Sequence, residues 1–252
     1  MRYLLVGAGR MGRAIEAEAA GRGHTCVGRL RSVDAARLAP GRVDRTAMGV
    51  PEVAFEFTEP SSARRNVLAL TGAGVAVVCG TTGWDPDDAF HREIAGRAAG
   101  AIVAANFSLG MQLFCRILGH AAGLFAAADS HRPSIFEMHH TGKLDAPSGT
   151  ARALARILRE RDPRLRSVVE GNPERRLPDG ALHVASLRVE FEPGTHVVGF
   201  DSDHDRIELT HRARGRSGFA AGAVLAGEWI AGKTGLHGFD EVVDELVRAA
   251  RR

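Results

Sequence analysis

Five short apolar runs, separated by stretches of helical spacing, restrict the first 107 residues more than any other feature. They are RYLLVGAG (2–9), TCVGRL (25–30), VAFEFT (53–58), GVAVVCG (74–80) and AIVAANF (101–107). Runs this short and this apolar read as strands buried on both faces. Met11, Ile15 and Ala19 share one helical face after the first run, and SSARRNVLALTGA and DDAFHREIAGRAAG repeat that texture. Strands alternating with helices imply βαβ units, hence a parallel sheet covered by helices.

After Phe107 the pattern changes. A helical stretch (108–128) leads to SIFEMHH, a strand ending on histidines, and PSGTARALARILRE aligns Ala151, Leu154, Ala155 and Leu158 on one helical face. LHVASLRVEF (182–191), THVVGFD (195–201) and DRIELTHRA (205–213) alternate and read as antiparallel strands, before the chain turns helical again. The expected plan is an α/β domain over residues 1–107 and 216–252, interrupted by an α+β domain over 108–215 with an open mixed or antiparallel sheet. With 44% hydrophobic and 25% charged residues, the composition suggests neither disorder nor a membrane span. No apolar run approaches a membrane span, and MRYLLVGAG enters a strand without a leader pattern, so a cytoplasmic protein is expected. Cys26, Cys79 and Cys115 lie far apart without a CxxC, as reduced thiols would. A net charge of +3, dispersed and with few aromatics, gives no footprint for nucleic acid.

Gly7, Gly9 and Gly12 in GAGRMG, with Arg10 and Met11 between them, stand after the first strand and open the first helix. Glycines there allow a tight turn and close backbone approach, and the helix N-terminus offers free N–H groups to a pyrophosphate. A Rossmann-type dinucleotide site is the expectation. The acidic residue that would hold the ribose 2′-hydroxyl of NAD is missing, and the second strand ends in Gly28-Arg29-Leu30-Arg31-Ser32. Arg29 and Arg31 suit a 2′-phosphate and favour NADPH over NADH, or they simply solvate a strand end. Gly227 to Thr234 (GEWIAGKT) matches a phosphate-loop pattern, yet the residues before it are helical, so Gly232 reads as a helix cap.

The chemistry concentrates in EMHHTGKLDAPSGT (137–150). Of 33 cationic side chains only Lys143 and Lys233 are lysine, and Lys143 stands beside two histidines. An ammonium can release a proton that guanidinium keeps. His139 and His140 on a strand point to opposite faces, so a shared metal is not expected. Asp145 to Thr150 place a cap and a glycine before a helix, a ready site for a carboxylate. Together these residues outline a pocket for a small anion with a proton donor in reach.

The run EMHHTGKLDAPSGTA is similar to the signature of the dihydrodipicolinate reductase family, E-x-H-H-x-x-K-x-D-A-P-S-G-T-A. The likeness continues through GAGRMG, EFTEP (56–60), CGTTGW (79–84), AANFSLGM (104–111) and SGFAAGAVLAGEWIAGKTGLHGFDEVV. It implies NAD(P)H-dependent reduction of 4-hydroxy-tetrahydrodipicolinate with loss of water, in lysine and diaminopimelate biosynthesis. His139 then resembles the acid/base histidine and Lys143 the proton donor. His140, Ser148, Gly149 and Thr150 resemble contacts to the substrate carboxylates. Gly80, Thr81 and Thr82, with Ala104, Ala105, Asn106 and Phe107, resemble the segments around the nicotinamide. A homotetramer built on the open sheets is also implied. Departures are a first glycine loop one residue shorter than the common form and Glu190 where the family often has glycine. The competing readings are another NAD(P)-dependent reductase of a small amino or imino acid, and a non-catalytic dinucleotide sensor.

Overall fold

The computed structural model describes residues 1–31, 34, 38, 41 and 43–250. The chain forms two compact units, Met1–Leu109 with Arg216–Arg252, and Gly110–Gly215. In the first unit the elements are β1 (Arg2–Val6), α1 (Arg10–Gly21), β2 (Thr25–Leu30), β3 (Val53–Glu56), α2 (Pro60–Gly72), β4 (Ala76–Cys79), α3 (Asp88–Ala95) and β5 (Ala101–Val103). After the second unit the chain returns with α6 (Ser217–Ile230), β11 (Leu236–His237) and α7 (Phe239–Ala249). The strands stand in the order β2-β1-β3-β4-β5-β11, every pair parallel. The order reverses beside β1, and the crevice outside that point is where such sheets bind ligands.

Alternation along β1 feeds two cores. Tyr3 and Leu5 pack with Ile15 and Ala19 of α1, Val224 of α6 and Val243 of α7. Leu4 and Val6 face Val67 and Leu70 of α2 and Phe90 and Ile94 of α3. Each fully buried leucine, isoleucine, valine or phenylalanine among them contributes about 1.5–3 kcal/mol. Two glycines let helices come close: a Cβ on Gly12 would collide with the Gly7 carbonyl, and one on Gly222 with that of Phe107. The phosphate-loop look-alike is a helix end. Ile230 closes α6, Gly232 turns with φ +78°, and Lys233 Nζ lies 3.5 Å from the centroid of the Trp229 ring.

The second unit contains α4 (Leu109–Ala128), β6 (Arg132–His139), α5 (Gly149–Arg161), β7 (Ser167–Glu170), β8 (Ala181–Arg188), β9 (Thr195–Asp201) and β10 (Arg206–Arg212). Its sheet runs β10-β9-β6-β8-β7. The pairs β10–β9 and β9–β6 are antiparallel, but β6–β8 and β8–β7 are parallel, which makes the sheet mixed. This corrects the antiparallel reading of residues 182–191. The chain leaves β6 through α5, and a helical crossover delivers the next strands in the same direction. Strand β7 has no counterpart in the sequence reading. A second correction concerns α4, whose 20 residues are long and apolar enough to cross a membrane by length and composition. Arg116 and His120 interrupt it, and Met111, Phe114, Leu118 and Ala122 are buried in the core of this unit.

Candidate functional site

In the first unit the glycine turn has a distinct reason for each glycine. Gly7 has φ +99°, and a Cβ there would strike the Phe57 carbonyl. Gly12 carries the close approach of α1 to that turn. Gly9, the N-cap of α1, has nothing within 4 Å of where a Cβ would stand and no side-chain cap, so its surroundings are open to a ligand. A cavity of about 420 Å³ opens here, lined by Gly7, Gly9, Arg31, Thr58, Glu59 and Arg65 among others. A second, of about 500 Å³, is lined by Met11, Thr58, Glu59, Gly80, Thr81, Thr82, Ala105 and Phe107. Thr58 and Glu59 border both, as suits one elongated ligand with two ends. Arg10 is exposed at the first turn of α1, and the Ala104 N–H donates to the Cys79 carbonyl. Asn106 Oδ1 accepts the Ser108 N–H at 2.8 Å. Arg31 opens onto the first cavity, whereas Arg29 is held in an ion pair by Glu16 of α1. Ser32, which the sequence reading added to the arginines, lies outside the described residues.

Beneath the second cavity lies a residue that sequence reasoning missed. Glu56 at the end of β3 is fully buried, and accepts from the Thr58 hydroxyl, Asn66 Nδ2 (3.1 Å), Cys79 Sγ (3.2 Å) and the Thr81 hydroxyl (2.6 Å). The Thr81 hydroxyl in turn accepts the Thr58 N–H at 2.8 Å. One carboxylate therefore ties the ends of β3 and β4 together at the cavity wall. Burial and the nearby Glu56 charge push the Cys79 thiol up, so it stays protonated and serves as a donor.

In the second unit, alternation along β6 sends His139 into the interior and leaves His140 exposed. Glu137, two residues before His139, shares its buried face. The register sets Glu137 opposite His196 of β9 on one side and Ser186 of β8 on the other. Glu137 Oε1 accepts the Ser148 N–H and the Ser186 hydroxyl, each at 2.9 Å, and Arg188 Nη1 lies 3.6 Å away. Burial alone would raise this carboxyl, but His196, Ser148 and Ser186 outweigh it and hold it far below the usual carboxylate range. His139 goes the other way: burial pushes it down to about 4, against the opposing charge of Glu137, so its ring is neutral at pH 7.

The loop after β6 collects the rest. Lys143 Nζ pairs with Asp145 at 2.8 Å, and Arg188 donates to the carbonyls of Lys143 (3.1 Å) and Asp145 (2.5 Å). Ser148 caps α5, its hydroxyl accepting the Ala151 N–H at 3.1 Å. Gly149 and Thr150 form the first turn of α5, with Gly149 exposed. Glu137, His139 and His196 bring donor atoms within 4.8 Å of one another, a spacing open to a cation that the two adjacent histidines alone could not offer. Glu137, His196, Ser186 and Arg188 were not picked out from sequence. Only the two-residue spacing of Glu137 and His139 signalled a shared face; the others depend on strand pairing.

The N-terminal model of dihydrodipicolinate reductase matches residues 1–107, and the C-terminal model matches residues 110–243. The chain belongs to the dihydrodipicolinate reductase family. It is 36% identical to the 4-hydroxy-tetrahydrodipicolinate reductase of Christiangramia forsetii, over 98% of this chain and all of that protein. Identity to the enzyme of the same name from Archaeoglobus fulgidus is 34%, over 97% and 100% of the two. Among solved structures, a dipicolinate-bound dihydrodipicolinate reductase from Paenisporosarcina sp. TG-14 superposes with a TM-score of 0.73 at 22% identity, covering 94% of this chain and 97% of that one. The family match runs through both units, so the glycine turn and the EMHHTGK block belong to one protein type in one order.

Proposed function

We propose that this protein reduces 4-hydroxy-tetrahydrodipicolinate to tetrahydrodipicolinate with loss of water, using NADPH in preference to NADH, in the cytoplasmic route to diaminopimelate and lysine. The observation that carries this is the match of both family halves across nearly the whole chain. The first unit fits a dinucleotide: an uncapped helix N-terminus, a glycine whose Cβ space is empty, and two cavities sharing one wall. Gly7, Gly9, Arg10, Met11 and Gly12 would hold the pyrophosphate. Arg31 would meet the 2′-phosphate, with Arg29 close by on its ion pair with Glu16. Gly80, Thr81, Thr82 and residues Ala104 to Phe107 would border the nicotinamide, which supplies hydride when bound.

The remaining steps belong to this chain's own side chains. His140 and the N–H groups of Gly149 and Thr150 at the start of α5 bind substrate carboxylate, with the helix dipole favouring the negative charge. Ser148 keeps that helix end in place, since its N–H is taken by Glu137 and its hydroxyl by Ala151. The Lys143 ammonium exchanges Asp145 for the substrate and delivers a proton to the ring as charge builds. His139, neutral at pH 7, accepts or relays a proton rather than bringing a positive charge of its own. The homotetramer implied by the family forms across the open sheet face of the second unit.

The test is NADPH oxidation with freshly generated 4-hydroxy-tetrahydrodipicolinate. Turnover is expected, with kcat/KM higher for NADPH than for NADH, and Lys143→Ala should lower kcat about 10²–10⁴-fold while leaving the cofactor Kd unchanged. Equal turnover of unrelated imines would favour a broader reductase, and cofactor binding without turnover a sensor.

A further inference from the structure

Glu137 is fully buried and its two oxygens are treated differently. Oε1 receives the Ser148 N–H, the Ser186 hydroxyl and the nearby Arg188 guanidinium. Oε2 has no hydrogen-bond partner among the described residues and faces two imidazole nitrogens, His139 Nδ1 at 3.4 Å and His196 Nε2 at 3.6 Å. His139 Nδ1 is also buried without a partner, whereas His196 Nε2 has the Ser148 hydroxyl at 3.3 Å. Leaving a buried acceptor open is costly, and more so for a charged one. A hydrogen on His139 Nδ1 would face Oε2 across this 3.4 Å contact, which is an electrostatic approach rather than a formed hydrogen bond.

We propose that Glu137 is a positioning residue for His139, fixing its imidazole as the Nδ1–H tautomer and leaving the Nε2 lone pair as the working nitrogen. The surroundings of Nε2 agree. A Cβ on Gly194 would stand 3.2 Å from it, and that glycine sits at φ +145°, where side chains are rare, so no side chain from this position crowds Nε2. The charged and titratable groups that act on the ring are Glu137 on β6 itself, His196 from β9, Arg188 from β8 and Lys143 from the loop before α5. Glu137 is the one anion among them. Burial, helped by His196, Lys143 and Arg188, keeps the ring neutral, and the carboxylate decides which nitrogen carries the proton. The functional weight of this pair rests on the reading of His139 as the acid/base residue; its geometry does not.

Glu137→Gln separates the two. Its carbonyl oxygen should stay at the Oε1 position, where Ser148 and Ser186 supply donors. Its NH₂ then falls at the Oε2 position and points a donor at His139 Nδ1. The ring must present a lone pair there and move its proton to Nε2, the wrong nitrogen for accepting a proton. Nitrogen-15 NMR of histidine-labelled protein, with His139 assigned by its absence in His139→Gln, should show the Nδ1–H form in the unaltered protein and Nε2–H in Glu137→Gln. The kcat of Glu137→Gln should fall about 10²–10⁴-fold, with the Kd for NADPH changed less than twofold. An Nε2–H form in the unaltered protein would overturn the proposal, as would an unchanged kcat and tautomer in Glu137→Gln. Stoichiometric zinc on His139 Nδ1 in the protein as purified would overturn it too. If the variant does not fold, the tautomer of the unaltered protein decides. Absence of turnover with the expected tautomer would count against the proposed reaction and leave the Glu137–His139 pair standing.

Discussion

Burial removes much of the solvation an imidazolium needs, and at His139 this outweighs the attraction of Glu137. The consequence for stability has a definite sign. The unfolded chain binds a proton at His139 near pH 6.5, while the folded protein refuses it until about pH 4. Between those values the unfolded state holds more protons, so stability falls as pH falls. Glu137 adds a loss at still lower pH, because its folded carboxyl titrates far below its ordinary range and its stabilisation fades as it is protonated. Thermal unfolding followed from pH 7 to 4 should show a declining midpoint, and His139→Gln should decline less steeply than the unaltered protein. Parallel curves would show that His139 takes up its proton without resistance. The alternation that buries His139 and exposes His140 was legible in the sequence, because a strand turns successive side chains to opposite faces. The importance of Glu56 was not, because an acidic residue in an apolar run does not reveal the four donors that converge on it.

At the scale of elements, helices approach this sheet through glycines. Gly222 lets α6 touch the backbone at Phe107, and Gly12 lets α1 touch the turn at Gly7. Gly222→Ala should force the helix outward at the end of a segment that borders the second cavity. Overpacking of this kind costs about 1–3 kcal/mol, or roughly 2–12 °C in Tm for a chain of this size. Scanning calorimetry would measure it, and an unchanged Tm would show that α6 can shift without resistance. The helical texture and the glycine turn could be read from sequence because both are local. The direction of β8 could not. Its alternating residues fit either sense of pairing, and the α5 crossover selects the parallel one.

At the scale of the whole molecule, the outward face of the second sheet carries apolar side chains without cover: Phe136 is 37% and Leu187 47% exposed. Both stand on adjacent strands, β6 and β8, where alternation turns them away from Ile135 and Val184 in the core. Exposed apolar side chains on neighbouring strands suit the proposed homotetramer. Light scattering after size exclusion should give a tetramer for the unaltered protein and a smaller species for Leu187→Asp. A monomeric unaltered protein would remove the proposed assembly.

What the sequence by itself determined is what depends on neighbours along the chain: strands and helices in alternation, the strand–glycine–helix turn, the capped start of α5, and His139 and His140 on opposite faces. What only the tertiary structure decided is which residues meet across strands. Ladder hydrogen bonds join backbone to backbone and leave no mark in the side chains that would name the partner. The order β9-β6-β8 therefore could not be foreseen, and with it came His196 and Ser186 on either side of Glu137. The residue types of the EMHHTGK block were plain in the sequence; the buried Glu137 carboxylate facing His139 became visible only when three strands were set side by side.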